Sequence, residues 1–288
     1  MKRIVYICLC ALIFSVVQIR IHAQTSANEN ITFFDEKFSV SLLGNYNICS
    51  FNDFNSSKYE TVRPFDIGFG FRYKNISAQL SIPTAFDEKF NIWSFDFEID
   101  SYFNSVYYEA YFKSYPQLYV ENSDKKGGLS VHSSGVMATL LQNNENHFLS
   151  SVIKLDKKQN ISSGSLLYGF GIFHSSIYSI DQALEDFRSI QHFLYFGPSI
   201  GYSYIWVFKN DIFLNTSLVF FTNVGVNITN NNFIFIPQLE PKIVVGHHNK
   251  TWSVNLKMMD HAKFMVWDKD GVDILTLISI TIMFSKRF

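Results

Sequence analysis

The last eighteen residues, Gly271 to Phe288, read GVDILTLISITIMFSKRF and alternate with period two. Ile274, Ile278, Ile280, Ile282, Phe284 and Phe288 share one face. Asp273, Ser279, Thr281 and Ser285 share the other, with Leu275, Leu277 and Met283. A strand with one mainly apolar face and one mixed face fits a narrow set of folds. In lipid every backbone polar group must be satisfied internally, which only helices and closed barrels achieve. Barrel strands alternate apolar outside and polar inside.

The remainder of the chain supports an all-β fold, an antiparallel transmembrane β-barrel of the outer-membrane type. Aromatic residues make up 17% of the 288 residues, with 30 Phe and 15 Tyr. Girdles of aromatics at two membrane interfaces and a lipid-facing band account for such an excess. Mean hydropathy is only +0.05, and past the leader no stretch supplies the ~20 apolar residues of a spanning helix. Net charge is −1, so no basic footprint for nucleic acid is visible.

Three domains are read. Residues 1–23 form a secretory signal peptide: Lys2 and Arg3, an apolar core from Ile4 to Val17, and Ile21-His22-Ala23 before the cut. Residues 24–36 are a polar periplasmic tail, and residues 37–288 the barrel. Cys8 and Cys10 lie in the leader, and Leu9 before Cys10 argues against lipidation. Cys49 is then alone and forms no internal disulfide.

Along the barrel, short alternating runs are separated by turn residues. They are Phe38–Ile48, Pro64–Tyr73, Ile76–Ile82, Ile92–Ile99, Tyr107–Lys113, Leu129–Leu141, His147–Leu155, Ser165–Phe173, Phe193–Phe208, Ile212–Val224, Phe233–Val245, Trp252–Met258 and the closing strand, with a doubtful run at Lys263–Trp267. Cys49 to Arg63 and Asn122 to Gly128 read as loops. Ile180, Leu184 and Phe187 stand at helical spacing within Ser176 to Ile190. Single-chain barrels have even strand numbers. About twelve strands are expected (range 10–14), because fourteen would place Ser176–Ile190 on the periplasmic side, where turns are short.

Several pieces carry a family resemblance: RPFDIGFGFRYKNISAQLSI, FDFEI, SGSLLYGFGIFHSSI and FGPSIGYSYIWVFKNDIFLNTSL. Together they span most of the chain from Lys37, and they resemble a family of Bacteroidetes outer-membrane proteins known only as domain of unknown function 4421. The resemblance implies an outer-membrane barrel and brings no activity and no catalytic residue.

One face of the runs carries charges of both signs, Arg72, Asp96, Glu98, Asp100, Glu109, Lys113, Lys242 and Lys257. These are expected to point into the lumen, since a charge facing lipid costs roughly 2–4 kcal/mol at the midplane. Such groups either set the selectivity of a pore or pair across and fill a narrow lumen, and the filled lumen is preferred. Phe284 and Phe288 are the expected assembly signal. His132 and Ser134 share a face and could form a base–nucleophile pair for lipid deacylation, with Glu145 nearby in sequence as a third, orienting carboxylate; a His and a Ser turned into a polar lumen is the plainer reading. His247-His248 is read as a solvated turn. No metal or cofactor is expected.

Three functions stay open. The first is passage of a small solute or apolar molecule. The second is a structural or surface-interaction barrel. The third is a lipid A or phospholipid deacylase. Passage is placed slightly ahead and an enzyme last. The expected partners are outer-membrane lipid and the barrel-assembly machinery, with any small-molecule ligand unknown.

Overall fold

The fold is known from a computed structural model, which describes residues 30–52, 58–61, 65–83, 95–103, 105–120, 128–153, 155, 157–179, 190–268 and 271–288. The proposed leader and the first residues of the tail lie outside these.

Strands follow one another as β1 (Ile31–Phe33), β2 (Phe38–Asn52), β3 (Lys58–Thr61), β4 (Phe65–Tyr73), β5 (Ile76–Pro83), β6 (Asp96–Phe103), β7 (Val106–Val120) and β8 (Gly128–Leu141). A one-turn helix α1 (Leu149–Ile153) and β9 (Lys157–Gln159) precede β10 (Ser163–Ser179). The chain ends with β11 (Gln191–Val207), β12 (Ile212–Asn227), β13 (Asn232–His248), β14 (Trp252–Asp268) and β15 (Gly271–Arg287).

Twelve of these strands close a single antiparallel barrel. β2 pairs with β4, neighbours then follow in chain order past β9, and β15 returns to pair with β2 from Ile274–Asn52 to Arg287–Ser39. Phe288 N donates to Phe38 O at 2.9 Å and finishes the seam. Closure leaves no free sheet edge, which is what lipid demands. β3 is not a wall strand of full height. It bridges the far end of β2 to β7 above the shorter β4, β5 and β6.

The outward faces read from the alternation hold. Ile67, Phe69, Phe71 and Tyr73 of β4 are exposed, as are Ile282, Phe284 and Phe288. Gly68, Gly70 and Arg72 turn inward. Rings gather at the end that carries the termini: Phe38 meets Phe71 at 4.9 Å and Phe288 at 6.0 Å, and Tyr204 meets Trp206 at 4.6 Å. Connections there include the tight turns at Lys74–Asn75 and Asn249–Thr251, whereas residues 84–95, 121–127 and 180–190 connect strands at the other end. Short periplasmic turns and long external loops assign the terminal end to the periplasm.

Several boundaries differ from the alternation reading. Trp252–Met258 and Lys263–Trp267 are one strand, β14. Strand β2 runs on through Cys49 to Asn52 and β3 occupies Lys58–Thr61, where a single loop is expected, and Ser176–Ser179 of the segment Ser176–Ile190 belongs to β10; residues 180–189, which carry the helical spacing, lie outside the described residues. His147–Leu155 is not a wall strand at all. It contains α1, whose five residues are all buried. The surplus thirteenth run is therefore this one.

Candidate functional site

The segment between β8 and β10 folds into the periplasmic end of the barrel. Leu149, Val152, Ile153 and Leu155 pack against inward side chains of the wall, among them Leu43, Leu141, Leu167, Phe213 and Met283. This burial removes the segment's apolar surface from water at roughly 25 cal/mol per Å². Polar ties fix it: Asn255 Nδ2 donates to Val152 O at 3.0 Å, and Arg287 Nη1 to Leu155 O at 2.9 Å. Within the stretch read as a tail, β1 pairs with β9. Lys157 of β9 places its ammonium over the rings of Phe148, Tyr102 and Phe33 at 4.9, 5.2 and 5.3 Å. Tail and segment together form a plug.

Two titratable groups mark this end. His147 is fully buried and its Nδ1 lies 3.2 Å from Ser163 O. Burial pushes its pKa down to about 4, against a smaller upward effect of that contact. Asp211, in the β11–β12 turn, takes a hydrogen bond from Lys158 Nζ at 2.5 Å, which holds its carboxyl below the usual range.

Above the plug lies a belt of charge. All eight residues expected in the lumen are on inward positions of their strands. Asp96, Glu98, Asp100, Glu109 and Lys113 come from β6 and β7, Lys242 from β13 and Lys257 from β14. Arg72 departs from the set. It sits at the periplasmic end, where Nε donates to Ser39 Oγ at 3.1 Å and Nη2 to Glu36 O at 3.3 Å. Asp66, Glu240, His261 and Lys263 join the belt and were not in the expected set. His261 and Lys263 share the parity of Lys257, a signal that a run ending at Met258 does not reach.

Some contacts in the belt cross the lumen and others join neighbouring strands. Lys257 Nζ of β14 lies 3.7 Å from Glu98 Oε2 of β6, with four strands between them around the wall. Lys263 Nζ donates to Ser133 Oγ of β8 at 2.7 Å. His261 stacks on Tyr111 of β7 at 5.6 Å while its Nδ1 meets Glu240 Oε1 at 2.6 Å. Asn47 Nδ2 donates to Asp66 at 2.5 Å and to Asp96 at 3.2 Å. Ser77 donates to Asp100, and Gln238 to Glu240. Beyond the belt, an apolar cluster including Phe51, Tyr115, Phe173, Tyr195, Phe221 and Leu277 fills the outer half. Plug, belt and cluster follow one another along the lumen.

The remaining residues singled out from sequence lie elsewhere. His132 and Ser134 do share a face of β8, but it is the outward one: the odd-numbered residues from Val131 to Leu141 are the buried set. The lumenal reading of this pair is thereby corrected. Glu145 is exposed beyond the opposite end of β8, so it cannot complete a triad with them. His247 and His248 end β13 rather than form a turn. Their rings diverge, His247 stacking on Trp252 at 5.2 Å and His248 Nδ1 meeting Ser253 Oγ at 3.1 Å. No group of three or more His, Cys, Asp or Glu fit for a metal occurs among the described residues.

A closed antiparallel wall, an apolar outer band, aromatic rings at the periplasmic rim and charges gathered in the lumen define an outer-membrane β-barrel. Within that class the chain belongs to the family described as Domain of unknown function (DUF4421), matched over residues 24–274. No curated protein matches it. Among solved structures it is similar to an outer-membrane channel from Pseudomonas putida F1, at 7% identity and a TM-score of 0.36, covering 92% of this chain and 100% of that one. It is also similar to OccAB4 of Acinetobacter baumannii, at 9% identity and a TM-score of 0.31, with 91% and 100% covered. A third is the outer membrane protein OprG of Pseudomonas aeruginosa, at 9% identity and a TM-score of 0.26, with 89% and 98% covered.

Proposed function

We propose that the barrel is a gated passage for a small polar solute, closed at rest by its plug. The observation that carries this is the belt of buried charges of both signs at mid-lumen. Buried ion pairs often do no better for stability than well-packed apolar residues of similar volume. A barrel serving only as a scaffold gains little from such a belt, whereas a solute shedding water gains a series of polar partners. The plug supports the same reading, because it is a separate segment tied at both ends to adjacent strands.

Two further proposals concern delivery. Residues 1–23 are removed on secretion, and Phe284 and Phe288, both on the outward face of β15, are read by the assembly machinery.

Planar-bilayer recording tests the passage. The intact protein is expected to show no steady conductance. A variant with residues 146–160 replaced by a Gly-Ser linker, alone or with Lys263→Ser, is expected to show discrete steps. If both variants fold, judged by a mobility shift on boiling, and neither conducts, the passage reading fails and a structural barrel takes its place.

A further inference from the structure

The outward wall is largely apolar, and near the external end of β7, β8, β10 and β11 its polar residues gather in one patch. The ladder register places Ser114, His132, Ser176 and His192 side by side in one row across these four strands. The next row towards the periplasm holds Phe112, Ser134, His174 and Leu194. His174 Nε2 and His192 Nδ1 are 3.4 Å apart, and His132 Nε2 is 3.3 Å from Tyr178 Oη. Ser114 and Ser176 are each only 5% exposed. Ser114 Oγ and His132 Nδ1 are buried and lack a hydrogen-bond partner in the protein.

We infer that this patch binds the phosphate of an outer-leaflet lipid headgroup. Three steps lead there. The first is depth. On β10 the outward run from Gly164 reaches Ile172 before the first histidine, about the 9–11 residues with which a tilted strand crosses hydrocarbon. His174 and the rows around it therefore stand where acyl chains give way to headgroups. The second is satisfaction. Unpaired polar groups at a lipid wall cost several kcal/mol each, and a headgroup seated on the patch supplies partners beside Ser114 Oγ and His132 Nδ1, which have none in the protein. The third is sign. The patch offers imidazole N–H, serine and tyrosine O–H donors. Among the described outward residues of these four strands there is no carboxylate to repel an anion. Phosphate oxygens only accept, and they match a surface that donates.

The test uses the full-length barrel in dodecyl maltoside, mixed with lipid A carrying both phosphates or with the same lipid dephosphorylated. The readout is the temperature at which the folded gel band converts to the unfolded one. The phosphorylated lipid is expected to raise that temperature by several degrees more than the dephosphorylated one. The triple substitution His132→Ala, His174→Ala and His192→Ala is expected to remove at least half of the difference. Should the triple variant not fold, His192→Ala and Ser114→Ala each carry the same expectation with a smaller loss. Equal effects of the two lipids, or an undiminished difference in the variants, overturn the inference. So does an equal shift from inorganic phosphate, which would mark a site for the free anion. A shift produced by zinc alone, with lipid inert, would reassign the histidines to a metal.

Discussion

Glu98 and Lys257 face one another across the lumen, Oε2 to Nζ at 3.7 Å, with both side chains largely withdrawn from solvent. They come from β6 and β14 and tie together walls that share no ladder. Breaking a buried pair from one side leaves an uncompensated charge and typically costs 3–5 kcal/mol, while replacing both members with apolar groups is often neutral. Glu98→Gln is therefore expected to lower the urea midpoint markedly, and Lys257→Met in the same chain to recover most of the loss. A double-mutant cycle on reconstituted protein measures it. Additive losses would mean that the pair contributes no coupling.

Arg287 holds the plug from the C-terminal end. Its guanidinium donates to Leu155 O, to Ser253 Oγ at 2.7 Å, to Trp252 O at 2.8 Å and to Asn249 O, and it lies 3.7 Å from the Phe34 ring. Hydrogen bonds to charged groups contribute about 1.5–3 kcal/mol each. Arg287→Ala is expected to leave the wall folded and to loosen residues 142–162. Protease added from the periplasmic side should cut this segment faster, while the mobility shift on boiling persists. Unchanged cutting would show that apolar packing alone seats the plug.

Much of the wall is legible in the sequence, because a lipid-facing strand exposes its pattern at period two. Both faces of the closing strand, the Lys74–Asn75 hairpin and the inward parity of Asp96, Glu98 and Asp100 all stand as read. The plug was not legible, for a physical reason. His147–Leu155 is apolar and short, and a segment buried inside a lumen satisfies the same local pattern as a wall strand. His132 and Ser134 posed the converse problem. Period two groups residues by face but does not say which face meets lipid, and a polar pair on the outer wall runs against the rule that usually decides it. Lys263 was hidden by Asp260 and Ala262, outward residues that break the apolar alternation of β14.

The plug is expected to respond to acid through His147. An unfolded histidine titrates near 6.5, and burial holds this one at about 4. Between these values the released segment binds a proton that the seated segment does not, so the seated state loses stability as pH falls from 6.5 to 4, by up to about 3 kcal/mol. Below 4 both states are charged and the loss levels off. Asp211 has the same sign in a lower window, since its carboxyl is held down by Lys158 and the contact is lost only as the carboxyl protonates. That pair is largely open to solvent and adds little. Cutting of the plug by an acid-active protease, followed from pH 7 to 4, should accelerate in the native chain and become nearly flat in His147→Gln. An equal slope in both chains would place the sensitive group elsewhere.

Strand spacing on the β11–β12 side depends on glycine. A Cβ on Gly225 would meet Leu194 O at 2.1 Å and Tyr195 Cα at 2.6 Å, both backbone atoms of the neighbouring strand that cannot rotate away. Gly44 on β2 has nothing within 4 Å of the same position. Overpacking a tight site costs about 1–3 kcal/mol, whereas an open surface substitution stays within roughly 0.5 kcal/mol. Gly225→Ala is thus expected to lower the urea midpoint and to speed amide exchange along β11 and β12, with Gly44→Ala indistinguishable from the native protein. If the two alanines behave alike, the close approach of these strands is not a constraint, and the seam has room to relax.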